Sequence, residues 1–103
     1  MLLSDNMNAE ELAKILDGLG HPLRLKIVAL LARENRAMYL NEIANGLGIN
    51  RALAKVHLKK LEAAGIVKSK VMLDEERGKA LRFYELVPFN IHLSPDVLKE
   101  VIE

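Results

Sequence analysis

Leu12, Ile15, Leu16 and Leu19 recur at helical spacing directly after Asn8-Ala9-Glu10-Glu11. A first helix is therefore predicted, with Asn8 as N-cap and Glu11 at the third helical position. Gly18 and Gly20 are expected to end it. Pro22 suits the first turn of a second helix running to about Glu34. That stretch is apolar nearly all round after its first turn, which predicts a helix in the middle of the domain. Asn35-Arg36 breaks the pattern. A third, short helix is predicted over 40–47, with Ile43, Ala44 and Leu47 inward and Gly48 as the left-handed residue that stops it. Asn50 then caps a fourth helix, 51–64, which Gly65 ends. Helix, tight glycine turn, helix is the helix-turn-helix arrangement.

After Gly65 the period shortens. Residues 66–73 alternate in part, with Val67, Val71 and Leu73 on one side; 74–79 are polar and contain Gly78; 80–87 read as a second strand ended by Pro88. Ser94-Pro95-Asp96 opens a last helix carrying Val97, Leu98, Val101 and Ile102. The expected fold is mainly α with a β-hairpin wing: a winged helix-turn-helix of four helices, a two-stranded wing and a C-terminal helix. It fills 1–103 as a single domain, with the helix-turn-helix at 40–64 and the wing at 66–87.

On a helical wheel of the fourth helix, Leu53, Ala54, His57, Leu58, Leu61 and Ala64 share one arc, expected to face the core. The opposite arc holds Ala52, Lys55, Val56, Lys59 and Ala63, with Arg51 and Lys60 at its edges. Lys and Arg can bind phosphates or guanine edges, and Ala and Val methyls can touch thymine methyls. Taken alone, the arc is equally an ordinary lysine-rich exterior. Its position decides for DNA, because it lies on the second helix of the pair, the one that enters the major groove. Arg77, Lys79 and Arg82 sit near the tip of the hairpin, where a wing can reach a phosphate or the minor groove. Charge agrees in its distribution. Residues 51–82 carry nine Lys/Arg against four acids, while 1–50 carry five against six and 83–103 one against four. Asp74, Glu75 and Glu76 oppose DNA at the wing.

Residues 19–27, Leu-Gly-His-Pro-Leu-Arg-Leu-Lys-Ile, resemble the opening of ArsR-type winged-helix repressors. Glu42-Ile43-Ala44, Leu47-Gly48-Ile49 and the run from His57 to Val67 resemble that family's helix-turn-helix, and Tyr84-Glu85-Leu86 its second wing strand. The resemblance covers roughly 9–87. It implies a homodimer that recognises an operator in double-stranded DNA, joined through its first and last helices (8–19 and 94–103). It also implies that Arg51, Ala52, Lys55 and Val56 face bases and that His57 is a partly buried packing residue. Ala52, Leu53 and Ala54 depart from the small polar residues usual there, so the operator does not carry over. The absence of Gln, Thr, Trp and Cys suits a thermophilic member, against which stand seven Asn.

Metal sensing does not carry over either. The chain has no cysteine, and His92, Asp96, Glu100 and Glu103 offer a single imidazole. No metal and no cofactor are expected. His21 reads as a cap or turn residue. There is no Cys nucleophile, no Gly-rich phosphate loop and no carboxylate pair in an apolar setting, so an enzyme is not expected. No apolar run approaches a membrane span, and Met1–Asn8 lacks a leader's basic and apolar regions, which fits a cytoplasmic protein. Leu12, Ile15, Leu16 and Leu19, with Val97, Leu98, Val101 and Ile102, exceed what so small a core needs and are expected to form the dimer interface. The function expected is a dimeric, sequence-specific transcriptional regulator acting as a repressor. A protein–protein module of the transcription machinery and a sequence-neutral, chromatin-like DNA binder remain as alternatives.

Overall fold

The computed structural model describes residues 8–102. The remainder of the leader reading, and Glu103, lie outside the described residues. Helix α1, Ala9–Leu19, starts where expected: the Asn8 side chain accepts from the Glu11 N–H at 2.8 Å. Gly18 does not end it. It is buried inside the helix, where an added Cβ would lie 2.5 Å from the Ala64 Cβ. This glycine serves a close helix crossing rather than a stop. Helix α2, Pro22–Glu34, is capped by the His21 ring, whose Nδ1 accepts from the Leu23 N–H, and stops at Asn35 in the left-handed region. Contrary to expectation, α2 is covered on one side only. Ile27, Leu30 and Leu31 are buried, while Leu25, Ala29 and Ala32 face outward.

A two-residue strand that the pattern could not reveal, β1 (Met38–Tyr39), precedes helix α3, Leu40–Leu47. Gly48, at φ 65°, turns the chain, and Asn50 caps α4, Arg51–Ala63, by accepting from the Leu53 N–H. Strands β2, Val67–Asp74, and β3, Lys79–Leu86, form the hairpin. The sheet is antiparallel and three-stranded in the order β1-β3-β2, so β3 is central. The wing is thus stitched to the start of α3 rather than standing free as two strands.

Ile27, Leu31, Ile43, Leu58, Leu61, Ile66 and Val67 are completely buried, and Tyr84, Phe89 and Ile91 close the core from the sheet and the segment after it. One inward assignment fails, and the apolar side of the first wing strand is not covered. Leu53 is 37% exposed, because it lies about 100° around the wheel from Ala54, which takes the core contact instead. Val71 and Leu73 follow Val67 on one face but are 56% and 67% exposed, since the outer hairpin runs past the helices. The last helix is α-helical only over Pro95–Leu98 (α5) and continues as a 3-10 turn, Lys99–Ile102. The Ser94 side chain caps it as expected.

Candidate nucleic-acid interface

The Asn50 cap and the left-handed Gly48 aim α4. They fix its start against α3, and burial of Ala54, His57, Leu58 and Leu61 fixes its rotation. The opposite side is left uncovered. Arg51, Ala52, Lys55, Val56, Lys59 and Lys60 are all exposed, as the wheel predicts. Arg51, Lys55 and Lys59 line a cleft of about 460 Å³ together with Glu62, with Tyr39 to Asn41 at the start of α3, and with Ala80, Leu81 and Arg82 of the wing. Helix and wing therefore share one basic concavity.

The three wing cations differ. Lys79 is exposed with no ion pair among the described residues. Arg82 is oriented: its Nη1 donates to Ser69 Oγ at 3.0 Å, and Ser69 Oγ donates to Glu62 Oε2 at 2.7 Å. Arg77 is folded back. Its Nη1 donates to the Tyr39 hydroxyl at 2.8 Å, its guanidinium lies 5.2 Å from that ring's centre, and its Nε is 3.5 Å from Asp74. So Arg77 anchors the wing tip to the start of α3, while Arg82 and Lys79 remain presented. Reasoning from sequence missed Tyr39, Ser69 and Glu62, because none belongs to a repeating pattern; a lone tyrosine before a helix gives no signal. It also missed the Arg36–Glu42 pair at 2.8 Å. Glu42 accepts from the Tyr39 N–H as well, and the Arg36 hydrogen bonds hold its carboxyl below the usual carboxylate range.

Behind α4 lies a second constellation. Arg24 donates from Nε to the Gly18 carbonyl at 2.7 Å, from Nη2 to the Asp17 carbonyl at 3.3 Å, and reaches His57 Nδ1 at 3.1 Å from Nη1. A guanidinium has no acceptor, so His57 Nδ1 accepts and carries no proton. Burial pushes the His57 pKa down, and the neighbouring His21, Arg24 and Lys60 act in the same direction. The His21 ring lies 4.4 Å away. His57 is thus buried as expected, but as the acceptor of a bond joining α1, α2 and α4. Among the described residues no group of three His, Cys, Asp or Glu is placed to hold a metal ion.

At the residues assigned to an interface, Leu12 and Ile15 are already buried within the chain, which corrects their assignment to a surface between copies. Leu16, Leu98 and Ile102 are exposed, and Leu19, Val97 and Val101 half-buried. No helix among the described residues is long and apolar enough to cross a membrane.

A winged helix whose second motif helix turns an uncovered basic side toward a basic wing defines a DNA-binding protein of the winged helix-turn-helix class. Residues 19–70 match the family model described as a helix-turn-helix domain. An uncharacterized HTH-type transcriptional regulator of Methanocaldococcus jannaschii is 30% identical over 97 residues, covering 94% of this chain and 98% of that protein. The chain belongs to the helix-turn-helix transcriptional regulators. Among solved structures, the transcriptional repressor BigR of Xylella fastidiosa is similar at 29% identity, TM-score 0.59, over 77% of this chain and 70% of that one. The homodimeric winged helix-turn-helix DNA-binding domain of a possible ArsR-family regulator from Mycobacterium bovis shares the fold, with a TM-score of 0.65 at 22% identity over 90% of this chain and 73% of that one.

Proposed function

We propose that the chain is a homodimeric, sequence-specific repressor that lays α4 in the major groove of double-stranded DNA. The observation that carries this is the uncovered side of α4 and its shared cleft with Arg82. Arg51, Ala52, Lys55 and Val56 face base edges, Lys59 and Lys60 contact phosphates, and Lys79 and Arg82 reach the neighbouring backbone or minor groove. Leu16, Leu98 and Ile102, exposed at the first and last helices, seat the second copy together with Leu19, Val97 and Val101. The role is one of binding, in the cytoplasm, with no catalysis, metal or cofactor invoked.

Fluorescence anisotropy with genomic fragments enriched by the protein, against random duplex, tests this. Affinity is expected to fall with salt by about 0.9 log unit per log unit for each phosphate neutralised, and to favour the enriched site by at least ~10³. Lys55→Ala and Lys59→Ala are expected to weaken binding without unfolding. Equal affinity for all sequences would make it a neutral DNA coat. No binding even at low salt would make it a protein-interaction module. Leu98→Asp is expected to yield monomers in sedimentation.

A further inference from the structure

Beyond the first and last helices, the wing carries a second self-complementary surface. Strand β2 is an edge of the sheet, and its outer half presents three consecutive large apolar residues, Val71, Met72 and Leu73, at 56%, 38% and 67% exposure. An exposed apolar edge is a template for another strand, and natural edges are usually blunted. Here the strand is charged with opposite sign on the two sides of the triplet: Lys70 before it and, after it, Asp74, whose carboxylate also holds Arg77 at 3.5 Å.

That arrangement selects its occupant. We infer that the wing edge pairs antiparallel with β2 of a second copy, centred on Met72. In this register Met72 opposes Met72, Val71 opposes Leu73 and Lys70 opposes Asp74. Two-fold antiparallel pairing keeps residues of one face opposite one another, so the register can slip only in steps that preserve the face. Centring on Val71 sets Met72 against Lys70, and centring on Leu73 sets it against Asp74. Only the Met72 register sets all three apolar residues against apolar ones while opposing Lys70 to Asp74, the cross-strand combinations that stabilise a sheet. Asp74, Glu75 and Glu76 at the end of the strip argue against a duplex as its occupant, since they repel phosphates. The contact is far smaller than a stable interface requires. It therefore acts between molecules already held side by side, and neighbouring dimers on one duplex would fill adjacent sites cooperatively.

The chain contains no cysteine, so a single introduced thiol reports one position. Met72→Cys protein, oxidised with diamide on a long random-sequence duplex that anisotropy shows to be filled, is expected to give disulfide-linked pairs on a non-reducing gel roughly tenfold faster than Lys68→Cys, because only the former places Cα atoms within disulfide reach. Val71→Cys mixed with Leu73→Cys is expected to link faster than either alone, a register test that does not depend on replacing Met72. A Val71→Thr/Leu73→Thr background is expected to abolish linkage of Met72→Cys. Equal rates at positions 68 and 72, or no linked pair in either test, would overturn the pairing. So would weaker binding of a single random-sequence duplex by Val71→Thr/Leu73→Thr, which would assign the strip to DNA.

Discussion

Leu58 and Leu61 in the helical body are completely buried, while Val71 and Leu73 in the outer wing, equally apolar, stand mostly in water. The body's apolar positions follow a 3.6-residue period that one chain can satisfy alone. The wing's follow a period of two that runs past the last residue with a core beneath it, Val67. Apolar periodicity thus specifies a folded interior in one region and an outward surface in the other. Burial, not hydropathy, tells them apart.

The contrast can be broken first in the body. Leu58→Ala should cost about 2–5 kcal/mol, the range for truncating a fully buried leucine, read from urea melts. Gly18→Ala should cost about 1–3 kcal/mol as an overpacking change, because the new methyl meets Ala64 at the α1–α4 crossing. A smaller effect comes from pH. His57 has its pKa held below the ordinary histidine value in the folded chain, so the unfolded chain binds the proton more readily. The stabilisation is complete above about pH 6.5 and is lost as pH falls from there through the depressed value. The melting temperature should therefore drop between pH 7.5 and 5.5, and His57→Asn should flatten that dependence. Smallest of all, Val71→Thr/Leu73→Thr should leave stability within about 0.5 kcal/mol, measured by the same urea melts. A loss comparable to that of Leu58→Ala would mean that the outer wing is packed after all.

The helices were legible because their ends carry chemistry that acts locally. Asn8, His21, Asn50 and Ser94 each cap as their position implies, and Gly48 turns where a left-handed residue is needed. The uncovered arc of α4 was legible for the same reason: a wheel needs only the helix's own residues. What escaped depends on distant neighbours. Gly18 looked like a stop because Ala64, 46 positions on, is invisible to local spacing. β1 is two residues long, too short for any period. Arg77 looked free for DNA because nothing in the hairpin announces Tyr39, 38 positions earlier. Leu12 and Ile15 looked surplus because the core they complete is assembled from elsewhere in the chain.

The bracket made by Arg24 has a mechanical consequence. One guanidinium grips the last carbonyls of α1 and the imidazole of α4, and the Gly18–Ala64 crossing removes any slack between the same two helices. In the proposed pair, α1 belongs to the seam between copies and α4 to the surface that reads the duplex. A shift at the seam is thus geared directly to the reading surface, and the distance between the two reading helices is set by the joint itself.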